Sequence, residues 1–230
     1  MVYLILFGTF AIALLASWRV KSNFNRFARI PSGSGITGAQ AAQQILGSAG
    51  ITGVEVMPVP GTLTDHYDPI NRRLALSEPV YYGDSIASLG VAAHECGHAL
   101  QHQAAYAPLH ARMGFVKVQG FASQIVMWLP LIGGGMGLMA PRSMFLMMAV
   151  GWGIIMLFNL ITLPVEFDAS RRAKALLGQL GIIRTPEEAA GVGRVLDAAG
   201  WTYVAAFLTS LAWLLFYLLP LLLGGRRSDH

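Results

Sequence analysis

The chain has 230 residues, 54% of them hydrophobic and 12% charged, at a mean hydropathy of +0.53; soluble domains carry about 25% charged residues, so a water-soluble globule is excluded. The net charge of +4 does not point to nucleic acid, because the basic residues flank apolar runs, where they act as topological signals and lipid-headgroup contacts. A single cysteine excludes an intrachain disulfide.

Charged residues are absent from 1–18, 118–141, 143–165 and 198–225. Each run is long enough as a helix to cross about 30 Å of hydrocarbon. The expected fold class is therefore mostly α, a polytopic membrane protein with about four transmembrane helices and a small α+β element between them. Residues 1–18 read as an uncleaved anchor with its N-terminus outside, since no Lys or Arg precedes the apolar core and Arg19, Lys21, Arg26 and Arg29 follow it. Residues 19–117 form the α+β element. Within it, Pro31-Ser-Gly-Ser-Gly35 is a flexible connector, and Thr37 caps a short amphipathic helix over 38–49. Val54-Glu-Val-Met57 alternates like a strand. Further extended segments are expected at 63–66 and Arg73–Ser77, separated by a turn at Asp68-Pro69.

A helix capped by Ser85 comes next, and Gln101-His-Gln103 with Tyr106-Ala-Pro108 mark its end and a surface linker. Residues 118–165 make a transmembrane hairpin turning at Ala140-Pro-Arg-Ser143. There Gly133, Gly134, Gly135 and Gly137, facing Gly151 and Gly153, either let the backbones approach or bend the helices. Residues 166–200 are again outside the bilayer. Thr185-Pro-Glu-Glu188 starts a helix there with a Thr cap, Pro at the first position and a capping-box Glu, and the helix runs to about residue 199. Residues 201–225 cross once more, and 226–230 is a polar tail with an inert His230.

The Ser85 helix carries His94-Glu95-Cys96-Gly97-His98. Four residues of α-helix turn through about 400°, so the two imidazoles emerge on one face and can grip one cation. Glu95 lies about 100° round, within reach of a water beside that cation without being a ligand. This is the arrangement of a zinc hydrolase: His94 and His98 as metal ligands, Glu95 as the catalytic base, one Zn²⁺ per chain. Cys96 lies about 200° from His94 and reads as a buried thiol. His102 reads as a surface histidine. His66, beside Asp65 and Asp68, either stabilises an oxyanion or holds a turn.

Such a site needs a third protein ligand. Two spans separate the histidines from Leu163-Pro-Val-Glu-Phe-Asp-Ala-Ser170, which returns that segment to the same face of the membrane. Glu166 is the expected third ligand and Asp168 the second choice; the competing reading pairs Glu166 with Arg171 or Arg172. Every Lys and Arg except Arg142, Arg226 and Arg227 falls on the side of this site, so by the positive-inside rule that side is cytoplasmic.

Together with Gly61-Thr-Leu-Thr-Asp-His-Tyr-Asp-Pro69, Leu74-Ala-Leu-Ser77, Val91-Ala-Ala-His-Glu-Cys-Gly-His-Ala99 and Leu196-Asp-Ala-Ala199, these segments resemble the YugP-like family of bacterial integral-membrane zinc metallopeptidases. The resemblance covers most of the chain. It implies a zincin-like element in a multi-pass protein of the bacterial inner (plasma) membrane, with a peptide or protein substrate and the lipid bilayer as partners. More distantly the site resembles integral-membrane gluzincins, whose helix carries E-x-x-x-D, the Glu on zinc and the Asp bracing a ligating His. Glu166 matches the Glu, but Ser170 stands where the Asp would be, and Asp168 points to another face. The same resemblance suggests an edge strand pairing with substrate backbone, at Arg73, Leu74, Ala75, Leu76 and Ser77.

The function expected is a membrane-integral zinc endopeptidase acting on membrane-associated or unfolded proteins at the cytoplasmic face. The rival readings are an intramembrane-cleaving metalloprotease and a non-catalytic metal-binding membrane regulator. The histidine helix lacks a span's length of apolar residues around it, which favours a site at the membrane surface.

Overall fold

The structure, a computed structural model, describes residues 2–224. The tail 226–230, with Arg226, Arg227 and His230, lies outside the described residues. In chain order the elements are α1 (Val2–Phe27), α2 (Gly38–Ser48), β1 (Glu55–Val59), β2 (His66–Asp68), β3 (Arg73–Ser77), α3 (Glu78–Tyr81), α4 (Ile86–Gln103), α5 (Ala107–Leu129) continued by a π-helical turn at Pro130–Gly134, α6 (Pro141–Gln179) and α7 (Pro186–Gly224). Among the described residues four helices are long and apolar enough to cross a membrane: α1, α5 with its π-helical turn, α6 and α7. The protein is thus mostly α and polytopic, with a small three-stranded sheet.

Helix ends and expected membrane boundaries do not coincide. α1 continues past residue 18 to Phe27, α6 runs unbroken from Pro141 to Gln179, and α7 passes through Gly200. Charge marks where a helix leaves hydrocarbon, whereas a helix ends where its backbone is capped or broken, and one glycine does not break it. The surface linker shrinks for the same reason. Only residues 104–106 separate α4 from α5, with Ala105 in the left-handed region at φ 48° and Pro108 already in the first turn of α5.

Contacts divide the chain into two units. One holds the chain up to Leu15, Ala111–Leu163 and the chain from Tyr203; the other holds Ala16–His110 and Pro164–Thr202. In the first, Gly151 of α6 lets α5 close in, since a Cβ there would meet Val126 Cγ2 at 2.6 Å, while Gly133 and Gly134 face the side chains of Met139 and Met144. Asn159 Nδ2 donates to Ala206 O and Ser210 Oγ, each at 3.1 Å, tying α6 to α7. Trp152 stacks on Trp213 nearby.

The second unit has the continuous core. Ser85 caps α4 by accepting from Ser88 N at 3.1 Å, and Thr37 caps α2 in a complete capping box with Gln40. The alanine-rich faces of these two helices pack together, burying Ala41, Ala42, Ile45, Leu89, Ala92, Ala93 and Cys96. Each fully buried Leu or Ile there contributes about 1.5–3 kcal/mol. The 31–35 connector, expected to be flexible, is pinned: Gly33 N donates to Glu188 Oε1 and Ser32 N to Asp84 O. Glu188 also accepts from Arg184 N and Thr185 N at the start of α7, and its own N–H bonds Thr185 Oγ1.

The sheet order is β1-β3-β2, with β3 parallel to β1 and antiparallel to β2. This corrects the expectation for Arg73, Leu74, Ala75, Leu76 and Ser77. They form the central strand, not an edge: β1 pairs with all five residues and β2 with Arg73, Leu74 and Ala75. The physical reason is the apolar run Leu74-Ala75-Leu76, which is buried on both faces of the strand and so suits the middle of a covered sheet. Just before β2 begins, Asp65 continues the pairing through its side chain, accepting from Ser77 N at 2.7 Å and from Ser77 Oγ. Burial raises the Asp65 carboxyl above its ordinary value despite those bonds.

Candidate metal centre

α4 and α6 build the site. The H-E-x-x-H segment occupies the middle of α4, with His94 and His98 one turn apart and their rings edge to face at 4.9 Å. α6 crosses it closely because α4 has Gly97 at the crossing, where a Cβ would lie 2.6 Å from Ala169 O. That approach brings in Glu166, one turn earlier on α6. Its Oε2 lies 3.3 Å from His94 Nε2 and 3.6 Å from His98 Nε2. One ligand atom from each of His94, His98 and Glu166 lies within 4.8 Å of the others. Two imidazole nitrogens and one carboxylate oxygen, converging with ring nitrogens forward, are a donor set that fits a zinc-type ion with a position left for water.

Glu95 is 8% exposed. Burial pushes its carboxyl above the usual range against the pull of His94 and His98. For His98, burial works downward, but the hydrogen bond to Glu166 and the charge of Glu95 outweigh it and raise the imidazole above its ordinary value. Cys96 points the other way, its Sγ donating to Ala42 O of α2 at 3.7 Å, and burial pushes the thiol up.

The far sides of both rings are also engaged. Ser170 Oγ lies 3.1 Å from His94 Nδ1, so the serine four residues past Glu166 reaches the position that an acid holds in E-x-x-x-D. Gln101 Oε1 lies 3.1 Å from His98 Nδ1. The Gln101 side chain is fully buried, and its Nε2 donates to Val165 O at 2.7 Å and to Asp168 Oδ2 at 3.0 Å. Asp168 lies outside the three-ligand cluster and holds Gln101, Arg171 and Arg172 instead, with Arg172 Nε at 2.5 Å. Both guanidinium groups that were alternatives for Glu166 therefore go to Asp168. Gln101 was missed from sequence, although it stands three residues past His98, on the next turn of the same helix face.

His66 is exposed on β2 with Nδ1 2.9 Å from Thr64 O, outside the cluster of His94, His98 and Glu166. Asp68 closes the β2–β3 turn by accepting from Ile70 N, Asn71 N and Asn71 Nδ2. His102, expected at the surface, is half-buried, and its Nδ1 meets the Tyr67 hydroxyl at 2.9 Å.

Comparisons with known proteins give the chain a family whose description names zinc. Residues 2–222 match the family described as "Putative neutral zinc metallopeptidase". The "Putative membrane protease YugP" of Bacillus subtilis (strain 168) is 48% identical over 234 residues, which span 98% of this chain and 100% of that protein. No solved structure matches the chain. The protein is a multi-pass membrane protein, and it belongs to the family of putative neutral zinc metallopeptidases.

Proposed function

We propose that the chain is a membrane-integral zinc endopeptidase in which His94, His98 and Glu166 hold one Zn²⁺ and Glu95 is the catalytic base. One observation carries the reading: three ligand atoms, two from one helix turn and one from a residue 72 positions further along, converge within 4.8 Å. Zinc bound there supplies a Lewis acid that eases deprotonation of water and polarises a carbonyl. Glu95, whose carboxylate is made more basic by burial, takes one proton from the attacking water. The water oxygen bonds the scissile carbonyl carbon, and Glu95 returns the proton to the amine as the C–N bond breaks.

The substrates are membrane-associated or unfolded proteins, cleaved at the cytoplasmic face of the plasma membrane. The concentration of Lys and Arg on the side of the site supports that orientation. α4 is not among the four helices apolar enough to span a membrane, which supports cleavage outside the hydrocarbon over intramembrane cleavage.

The test is a pair of variants in the full chain. Glu95→Gln retains one zinc per chain and loses cleavage of an unfolded protein substrate, while Glu166→Ala loses the metal. Full activity in Glu95→Gln contradicts the mechanism. Failure of the wild type to cut any soluble peptide while cutting a transmembrane one contradicts the surface site.

A further inference from the structure

The Gln101 amide has only one orientation that its surroundings accept. Val165 O and Asp168 Oδ2 are both acceptors, at 2.7 and 3.0 Å, so the amide nitrogen, which carries two N–H groups, must face them. The amide oxygen is then left facing His98 Nδ1 at 3.1 Å. An oxygen cannot donate, so Nδ1 carries the proton and the Nε2 lone pair is directed toward Glu166 and His94, where a metal is expected. The fork holding this amide is itself held: Asp168 is 6% exposed, accepts from both Arg171 and Arg172, and Arg172 lies over the Tyr106 ring at 5.8 Å.

We propose that Gln101 and Asp168 are positioning residues that fix His98 in its Nδ1–H tautomer, with the Asp168 carboxylate, ion-paired to Arg171 and Arg172, holding the intervening amide in its one accepted orientation. The proposal rests on His98 being a metal ligand, as argued above. A carboxylate bonded straight to a ligating imidazole makes it a stronger donor and fixes its tautomer; here an amide stands between the two and does the fixing. The direct route is closed by geometry, because Asp168 sits two residues past Glu166 and on another face of α6. The amide spans the gap, and its third bond, to the α6 backbone at Val165, also sets the spacing of α4 and α6 at the site. Ser170 serves His94 with a hydroxyl instead, so the two rings are supported unequally, His98 by a chain that ends in the ion pairs of Asp168 with Arg171 and Arg172.

The experiment uses the full chain in detergent micelles with zinc as the probe, measured by competition against a fluorescent chelator, and ¹⁵N spectra of the histidine rings. In the wild type the neutral His98 ring carries its proton on Nδ1, in the zinc-loaded protein and in the metal-free protein at alkaline pH. Gln101→Met, similar in shape but unable to make the three bonds, binds zinc about 10–100-fold more weakly and loses the preference for that tautomer. Asp168→Asn keeps an acceptor for the amide but removes the charge; its tautomer is retained and its zinc affinity falls by less than in Gln101→Met. A wild-type His98 protonated on Nε2 overturns the proposal even if Gln101→Met fails to fold, and so does a Gln101→Met protein with zinc affinity within twofold of wild type. A wild type that binds no zinc would sink the proposed function instead, while the metal-free tautomer would still decide this inference.

Discussion

Gly97→Ala tests whether the crossing of α4 and α6 is what assembles the metal centre. A Cβ at 97 would stand 2.6 Å from Ala169 O and 3.0 Å from its carbonyl carbon and Cα. These are backbone atoms, so no side chain can rotate away. Ordinary contact begins near 3.4 Å, so α6 must retreat by roughly 0.8 Å, whereas metal–ligand distances tolerate only about 0.2 Å. Overpacking of this kind costs about 1–3 kcal/mol, and the displaced helix carries Glu166. We expect the variant to fold with a lowered Tm and to bind zinc at least about tenfold more weakly. Gly90→Ala on the same helix is the control: its Cβ would meet Val192 Cγ1 at 3.5 Å, an ordinary contact. Its zinc affinity stays at the wild-type level, and its stability rises by up to about 1 kcal/mol. Chelator competition and thermal unfolding in detergent read both variants. Wild-type zinc affinity in Gly97→Ala refutes the reasoning.

Ser170→Ala removes the hydroxyl from His94 and lowers zinc affinity about tenfold with little change in Tm; unchanged affinity in a chelator titration contradicts this role. In the membrane unit, Asn159→Leu breaks two bonds between α6 and α7 that are worth about 0.6 kcal/mol each, a loss of about 1 kcal/mol readable by steric trapping. In the metal-free protein Asp65, Glu95 and His98 all lie above their ordinary values. Each binds its proton more tightly folded than unfolded, so its stabilising contribution is lost as pH rises through the folded value. Asp68, Glu166, Asp168 and Glu188 are instead held below their ordinary values, so their stabilising contribution is fully present above the ordinary carboxylate range and is lost only at lower pH. The metal-free Tm should therefore fall as pH rises above the ordinary carboxylate values and on through the ordinary imidazole range, and added zinc should reverse the slope because metal displaces protons from its ligands. A metal-free Tm that climbs over that range contradicts the sign.

How much of this was legible follows from the kind of signal each feature leaves. His94, Glu95 and His98 share a helix turn, and helix periodicity alone places them. Glu166 was found by counting membrane crossings and taking the first acid after an uncharged run, a signal available only because the chain crosses a bilayer. The caps at Thr37, Ser85 and Thr185 were readable because the capping residue and its partner lie within three positions. The order of the strands was not readable: it is set by pairing between segments, and what betrays β3 is apolar character on both faces rather than any alternation. Gln101 was missed because an amide has no preferred chemistry until its partners are known, and two of those partners come from α6. Asp168 looked like a spare ligand because Gln101, from α4, is fixed only by the fold, although Arg171 and Arg172 lie three and four residues further along the same helix.

The central claim is that one zinc ion is held by His94, His98 and Glu166. Anomalous diffraction at the zinc absorption edge from crystals of the full chain tests it most directly. The account predicts one anomalous peak per chain, about 2.0–2.2 Å from His94 Nε2, from His98 Nε2 and from a Glu166 carboxylate oxygen. A peak bound elsewhere, or one coordinated by the two histidines with residue 166 out of reach, would contradict it.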